Sequence, residues 1–246
     1  ATGQNIDTFQ ELQTALKPGR KSFMIASLEQ TSNRVRVGQR CHIPQGGKIS
    51  DNCPYPMTDL QQLAAQARDI QIPVVLSAGH REYLVESYTM GGTVFIFGAG
   101  HVAQPTARLA AMVGFQVWVL DDRKDYVHPE RFPEAHRVTV LDSFDQAFTD
   151  LEVTEASYVI IFTHGHLHDK IVLAQALGTD AGYIGMIASR RKRNTIYDAL
   201  RAEGVSQLQI DRVHSPIGLA IGAETPEEIA VSIVAEMILQ RSQRMP

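Results

Sequence analysis

Three histidines and an aspartate occur in one short segment of the chain, at His164, His166, His168 and Asp169. Imidazole nitrogens and carboxylates bind transition metals, and imidazole also moves protons near neutral pH. His164 and His166 are two residues apart, which is poor spacing for a local tetrahedral metal site, and Asp169 fits better as a charge that stabilises a first helical turn. We therefore predict no metal. Thr163, His164 and His166 are expected to hydrogen-bond a ligand, with His166 as a candidate for proton transfer; solvated loop histidines are the alternative.

A second group with chemical potential is the run of four cations from Arg190 to Arg193, which follows Ser189. Ser189 is a suitable N-cap for a helix that begins there. Positive charges at a helix N-terminus oppose the helix dipole, and a bound anion would offset that cost. The spacing predicts an anion clamp made by Ser189 with Arg190 or Arg191. A solvated basic surface is the alternative.

A third candidate is His214, in a compact loop of glycines and a proline that extends to residue 223. It is the residue of this loop that we nominate for function, as a second catalytic candidate beside His166. The following helix begins with Thr225 as N-cap, Pro226 in the first helical position and Glu228 closing a capping box. The glutamates of this segment are therefore interpreted as capping residues.

These candidates need elements that position them, and the clearest element surrounds the turn Gly98-Ala99-Gly100-His101-Val102. An apolar run suited to a buried strand leads into the turn, and a helix-patterned segment follows it. Gly98 permits a tight bend, Gly100 lets a pyrophosphate approach the backbone, and Ala103 lets the helix pack closely on the strand. The N–H groups of the first helical turn attract a diphosphate. The pattern is the G-x-G-x-x-A form of the dinucleotide-binding fingerprint.

The acidic end of the next apolar run completes this fingerprint, because Asp121, Asp122 and Arg123 follow it directly. Asp121 lies about 20 residues beyond the turn, where an acceptor for a ribose hydroxyl is expected. A carboxylate there favours NAD or FAD, whereas Arg123 would tolerate the additional phosphate of NADP. A βαβ unit without a ligand is the alternative.

Strands and helical patterns alternate after residue 89, which predicts an α/β fold with a Rossmann-type, doubly wound parallel sheet. We assign residues 89–246 to this dinucleotide-binding domain and residues 1–88 to a small N-terminal α/β domain, with a helical capping box expected at Thr58. Every candidate residue above follows a predicted strand, so all should lie at the carboxyl edge of one sheet. The predicted strands of the larger domain are Val94–Phe97, Val117–Leu120, Val138–Val140, Tyr158–Phe162, Tyr183–Ile187 and a sixth near Leu208–Val213.

Composition excludes several classes of protein. A net charge of −4 argues against a nucleic-acid partner, and no apolar run is long enough to span a membrane. The polar N-terminus lacks the pattern of a signal peptide, so we expect a cytoplasmic protein. Two cysteines, Cys41 and Cys53, do not make a disulfide framework, although a reactive thiol remains open.

Taken together, these segments resemble the C-terminal Rossmann domain of the xanthine dehydrogenase accessory factor family (XdhC/CoxI). The resemblance covers most of residues 93–235. It is carried by Phe97-Gly-Ala-Gly-His-Val102, Asp121-Asp-Arg123 with Arg131-Phe-Pro133, Thr163-His-Gly-His166 with Asp169, Tyr183-Ile-Gly-Met-Ile187 with Ser189-Arg-Arg-Lys192, Arg212-Val-His-Ser-Pro-Ile-Gly-Leu219, Ile221-Gly-Ala223 and Thr225-Pro-Glu-Glu-Ile-Ala230.

This resemblance implies a maturation factor that binds molybdenum cofactor as cargo, supports its sulfuration, and inserts it into an apo molybdenum hydroxylase of the xanthine dehydrogenase kind. A cysteine desulfurase is an implied further partner, and a homodimer is compatible with the family. The first 88 residues depart from the pattern, since only Gln45-Gly-Gly-Lys48 matches part of the glycine-rich stretch usual there. Sulfur transfer through Cys41 or Cys53 is therefore left as a hypothesis.

The leading hypothesis is an accessory protein rather than a stand-alone enzyme. Gly98, Gly100 and Asp121 would hold a nucleotide or phosphate, Arg190 and Arg191 would hold anionic groups, and His166 and His214 would line the reactive end. One alternative is an NAD(P)-dependent oxidoreductase with a histidine as proton donor. The other is a nucleotide-sensing module in which binding shifts conformation without chemistry.

Overall fold

The computed structural model describes residues 91–244 without a gap. It also describes residues 8–89, with gaps at 9, 13, 17–20, 32–33, 45–48, 50–52, 68–69 and 71. The chain divides into two compact units, one formed by residues up to 90 and the other by residues 91–244. Over the described residues, no helix combines the length and apolar character that crossing a bilayer requires.

The N-terminal unit contains a four-stranded antiparallel sheet with the order β2-β1-β4-β3, and the helix Met57–Gln66 packs on it. Buried and more exposed residues alternate along β3 and β4, so that one face packs toward the helix, whereas residues 21–27 of β1 are buried without a break. The elements are β1 (Lys21–Thr31), β2 (Arg34–Pro44), α1 (Met57–Gln66), β3 (Val74–Ala78) and β4 (Arg81–Thr89), and their shared core includes Phe23, Ile25, Leu60, Leu63, Tyr83 and Val85.

The capping box expected at Thr58 is wrong, because α1 begins at Met57 behind Pro56, whose φ of −56° already suits helix entry, and no side chain caps this end. Asp59, next to Thr58, instead accepts a hydrogen bond of 2.7 Å from the buried Tyr83 hydroxyl.

The two cysteines, Cys41 and Cys53, form a disulfide, with their Cα atoms 5.4 Å apart. This bond was not predicted from the sequence, because the approach of residue 53 to β2 depends on the path of the chain between them. Any transfer of sulfur through either thiol would first require reduction of the disulfide.

The second unit is a six-stranded parallel sheet with the order β10-β9-β8-β5-β6-β7, which confirms the Rossmann-type topology. The first strand in sequence, β5, lies in the middle, and the chain winds outward from it in both directions. The register aligns Phe97 of β5 with Leu120 of β6 and Ile161 of β8. The strands are β5 (Thr93–Phe97), β6 (Gln116–Asp121), β7 (Arg137–Val140), β8 (Ser157–Ile161), β9 (Tyr183–Met186) and β10 (Val213–His214).

Helices cover both faces of this sheet, as the almost uninterrupted apolar strands require. The helices are α2 (Ala103–Met112), α3 (His166–Leu177), α4 (Arg190–Ala202), α5 (Gln207–Ile210) and α6 (Pro226–Arg244). Buried residues of α2 and α6 share one apolar core with the sheet, and buried residues of α3 and α4 share the other. The carboxyl edge of the sheet therefore lies between two helical layers.

The sixth predicted strand, near 208–213, is mostly wrong. Ser206 and Gln209 form a capping box that begins the short helix α5, and only Val213–His214 pairs with the sheet. The segment forms a helix and not a strand despite its apolar residues, because Ser206 and Gln209 each satisfy a backbone N–H at the start of the helix.

Candidate functional site

The residues from Gly98 to Val102, called the glycine turn below, leave β5 at the centre of the sheet's carboxyl edge. Gly98 has a φ of +111°, and a Cβ added there would lie 2.3 Å from the carbonyl oxygen of Phe162. At Gly100, an added Cβ would meet no atom of the described residues within 4 Å. Gly98 thus serves the close packing of the turn, and Gly100 has open space beside its backbone, in front of the N-terminus of α2.

Asp121, at the end of β6, is fully buried and bonded to the glycine turn. Its Oδ2 accepts hydrogen bonds from the Ala99 N–H (2.6 Å) and Arg123 Nη2 (2.7 Å), and its Oδ1 accepts from the Arg123 N–H (3.0 Å) and Nε (2.9 Å). Burial by itself would raise the pKa of Asp121, but the hydrogen bonds from Arg123 and Ala99 outweigh it and lower the pKa to about 2.

This environment changes the role expected of Asp121. Both of its oxygens are occupied and none of its surface is exposed, so the carboxylate that reaches solvent at the end of β6 is Asp122. The Arg123 guanidinium is committed to Asp121 and stacks on Tyr126, with its central carbon 4.0 Å from the ring centroid. The ion pair therefore works as a brace between β6 and the glycine turn.

The residues from Thr163 to Asp169, called the histidine segment, follow β8. Thr163 is buried and its hydroxyl donates to the buried Asp169 carboxylate, which also pairs with the Lys192 ammonium. Thr163 therefore does not face the edge of the sheet as was expected from the sequence. These three side chains connect the end of β8 with the starts of α3 and α4.

The exposed part of the histidine segment contacts the end of β6. His164 Nε2 lies 3.0 Å from Asp122 Oδ1, and the ring centroids of His164 and His168 are 4.7 Å apart. The Phe144 ring lies beside both imidazoles, at centroid distances of 6.4 Å and 5.1 Å. His166, the first residue of α3, is exposed to solvent. Sequence reasoning missed His168 and the contact with Asp122; the four-residue spacing of His164 and His168 was the signal available.

The basic run, Arg190 to Arg193, opens α4 as predicted. Ser189 is confirmed as its N-cap, since its hydroxyl oxygen accepts a hydrogen bond of 3.3 Å from the Lys192 N–H. Arg193 turns inward and donates to the Ser215 carbonyl over 2.9 Å. Arg190 and Arg191 are exposed, and neither pairs with a carboxylate of the described chain. Two uncompensated guanidinium groups thus stand at a helix N-terminus on the carboxyl edge of the sheet.

His214 is not brought together with the other histidines. Its ring stacks on Tyr183 at 4.6 Å, on the face of the sheet that α6 covers, and its Nδ1 lies 3.2 Å from Glu236 Oε1. Glu236 Oε2 also accepts hydrogen bonds from the Tyr183 hydroxyl (2.5 Å) and the Gly218 N–H (2.8 Å). Glu236 is therefore the common acceptor of three groups.

The pKa shifts of Tyr183 and Glu236 support a bracing role for the side chains that meet at Glu236. Burial and the hydrogen bond to Glu236 raise the pKa of Tyr183 well above its usual range. Burial favours the neutral form of Glu236, but hydrogen bonds from His214 and Tyr183 outweigh it and lower its pKa. Glu236 and His214 connect α6 with β10.

We expect Glu236→Gln to lower the free energy of unfolding by about 1–3 kcal/mol, because the amide turns a donor toward groups that need an acceptor. Urea unfolding followed by far-UV circular dichroism would measure the change. Glu227→Gln, at the exposed start of the same helix, is the matched control and should cost only a few tenths of a kcal/mol. Equal losses in the two variants would contradict the bracing role.

Known proteins are similar to this chain in sequence and in fold. The family model described as the XdhC Rossmann domain matches residues 94–237. The chain is 34% identical over 168 residues, or 68% of its length, to the uncharacterized protein YqeB of Escherichia coli (strain K12). It is 32% identical over 151 residues, or 61% of its length, to a probable subunit of xanthine dehydrogenase from Bacillus subtilis (strain 168). These alignments cover 30% and 43% of the two relatives, so the chain matches less than half of either protein.

Among solved structures, a crystal structure of a xanthine dehydrogenase from Bacillus halodurans is similar, with a TM-score of 0.70. The match covers 97% of this chain and 63% of that one, at 24% sequence identity. A likeness at this identity establishes a common fold, and the roles of individual residues have to be argued from their own chemistry.

Proposed function

The chain belongs to the XdhC family, and from that premise we propose that it is an accessory protein of a molybdenum hydroxylase of the xanthine dehydrogenase kind. In this proposal it binds molybdenum cofactor (molybdopterin), supports its sulfuration, and inserts it into the apo hydroxylase. The relative from Bacillus subtilis that is named as a probable part of xanthine dehydrogenase supports this association.

The observation that carries the proposal is the combination of the open glycine turn with the two unpaired arginines, Arg190 and Arg191. β5 and β9 are separated only by β8, so the turn after β5 and the basic run after β9 occupy the same edge of the sheet. A pterin with a phosphate tail needs a phosphate cradle and cationic anchors. The N-terminus of α2 behind Gly100 supplies the first, and the guanidinium groups supply the second.

Polar groups for the pterin edge are available between these two points. His164 and His166 of the histidine segment, together with His101 of the glycine turn, are exposed at the loops that follow β8 and β5. We assign the reactive end of the site to these histidines and remove His214, because its ring is committed to Tyr183 and Glu236.

Native mass spectrometry of the protein, produced in a host that makes molybdopterin and purified under anaerobic conditions, tests the proposal directly. We expect a copurifying mass equal to molybdopterin or its dinucleotide form. A protein that carries neither, and that also fails to bind either one when it is added, would contradict the proposal.

The double variant Arg190→Gln/Arg191→Gln should weaken cofactor binding by at least about 100-fold, since each of the two charge-assisted contacts contributes about 1.5–3 kcal/mol. Titration monitored by fluorescence of the pterin would measure the dissociation constant. Arg201→Gln, near the other end of α4, keeps the same chemistry away from the edge of the sheet and should leave binding unchanged. If both proteins bound the cofactor equally, the arginines would have no part in the site.

A bound nicotinamide or flavin dinucleotide is the second candidate, favoured by the strand order and by the partly exposed Asp122 at the end of β6. This alternative includes an NAD(P)-dependent oxidoreductase. The same mass measurement separates the candidates, because NAD(P), FAD and molybdopterin differ in mass. Turnover of NAD(P)H with a small carbonyl substrate would favour the oxidoreductase over the accessory protein.

A further inference from the structure

The two-histidine cluster consists of Asp122, His164 and His168. Its members come from three different places in the fold. Asp122 follows β6, His164 follows β8, and His168 lies in the first turn of α3. Since β6 and β8 flank β5, the contact between Asp122 and His164 joins loops on the two sides of the glycine turn. The cluster therefore depends on the strand order and not on the histidine segment alone.

The donor atoms of the cluster are close enough to share one ion. Each of the three residues offers a nitrogen or carboxylate oxygen, and these atoms all lie within 4.8 Å of one another, with Asp122 Oδ1 and His164 Nε2 at 3.0 Å. Zinc bonds of about 2.0–2.1 Å place tetrahedral ligand atoms roughly 3.3 Å apart. Small rotations of these partly exposed side chains would bring all three into that range.

A second observation points to a ligand at the same place. The Nδ1 atom of His168 is buried and has no hydrogen-bond partner within the part of the chain that the structure describes. A buried imidazole nitrogen without a hydrogen-bond partner destabilises the fold unless a bound ligand or ion contacts it. The Phe144 ring packs beside both imidazoles, and the Gln175 amide donates to the Phe144 carbonyl over 2.7 Å, so one wall of the cluster is held in place.

The charges around the cluster favour a cation. Asp121 is neutralised by Arg123, and Asp169 is neutralised by Lys192, so each neighbouring carboxylate already has its own partner. Within the described chain, Asp122 forms its ion pair with the His164 imidazole, and it also interacts electrostatically with the Arg123 guanidinium. The cluster thus offers one negative charge and two imidazoles, while Arg123 and Lys192 each form their ion pair with another carboxylate.

We propose that Asp122, His164 and His168 bind one divalent transition-metal ion of the zinc or iron(II) class. Two histidines and one carboxylate are a donor set typical of such ions, and three protein ligands leave coordination positions open to water or to a further ligand. The prediction of no metal considered only the spacing within the histidine segment, where Asp122 has no place. This proposal stands apart from the proposed function, because metal binding can be measured without any cofactor.

The test uses the full chain after removal of metals by a chelator, with the Cys41–Cys53 disulfide kept oxidised so that no thiols compete. Titration calorimetry with Zn²⁺ should give one equivalent per chain. Addition of Co²⁺ should produce the visible d–d absorption of a site with four or five ligands. Absence of stoichiometric binding of both ions would overturn the proposal.

Variants locate the ion. Asp122→Asn and His168→Gln should each weaken Zn²⁺ binding by about 100-fold or more and abolish the Co²⁺ absorption, since loss of a direct ligand exceeds the usual effect of losing its supporting contacts. His164→Gln, at a more exposed position, provides a third test if either variant folds poorly. His136→Gln, at an exposed histidine before β7, is the control and should bind normally. If the cluster variants bound Zn²⁺ with unchanged affinity, the contact between Asp122 and His164 would be an ordinary ion pair and the proposal would be wrong.

Discussion

Gly98→Ala should be the most damaging single substitution in the glycine turn, with a loss of more than about 3 kcal/mol in the free energy of unfolding. Two costs add. The φ of +111° is unfavourable for a residue with a side chain, and the new Cβ would lie 2.3 Å from the Phe162 carbonyl oxygen. Because that oxygen belongs to the backbone, the loop after β8 would have to move. Urea unfolding and the yield of soluble protein would report the loss.

Gly100→Ala is the matched control, because it makes the same change two residues along the chain. Its Cβ would enter space that the described residues leave open, so stability should change by less than about 1 kcal/mol. The proposed function adds that this control should bind cofactor less well than the wild-type protein. A stable Gly98→Ala protein would show that the turn can relax.

Asp121→Asn should have the second-largest effect, lowering the free energy of unfolding by about 2–4 kcal/mol. The amide would turn a donor toward Ala99 or Arg123 and leave the guanidinium without its counter-charge. Asp122→Asn replaces the adjacent, partly exposed carboxylate and should cost less than about 1 kcal/mol. Equal losses would show that burial does not distinguish the two positions.

The pH dependence of this effect follows from the pKa of Asp121, about 2 in the folded protein against an ordinary value of 3.8. A carboxyl group whose pKa is lowered by folding stabilises the protein above its unfolded pKa, and the contribution disappears as the pH falls through its folded pKa. About 2 kcal/mol should therefore be present near neutral pH and lost by about pH 2. The gap in stability between wild-type protein and Asp121→Asn should narrow over that range; a constant gap would contradict the assignment.

The central fold could be predicted from sequence because its signals are local. The parallel sheet was indicated by the apolar run before Gly98 and the helical pattern after it. Later segments repeat this alternation of apolar runs and helical patterns. The N-caps Ser189 and Thr225 were equally accessible, since each cap involves residues only three positions apart. The capping box expected at Thr58 failed because a proline two residues earlier already provides the entry to the helix.

The candidate site at the carboxyl edge of the sheet was harder to predict, because its contacts depend on which strands are neighbours. Asp122 and His164 are 42 residues apart in sequence, and His214 and Glu236 are 22 apart. No pattern within either segment indicates these pairs. Asp121 illustrates a second difficulty: its position matched a ribose acceptor, yet the structure uses it to hold the turn.

The buried Asp169 has a further consequence for recognition. It holds Thr163 at the end of β8 and Lys192 at the start of α4, so the histidine segment and the basic run are connected through one carboxylate. Their separation is set before any ligand arrives. A molecule that contacts both would meet a preorganised surface and would lose little of its binding free energy to restricting the motion of these loops.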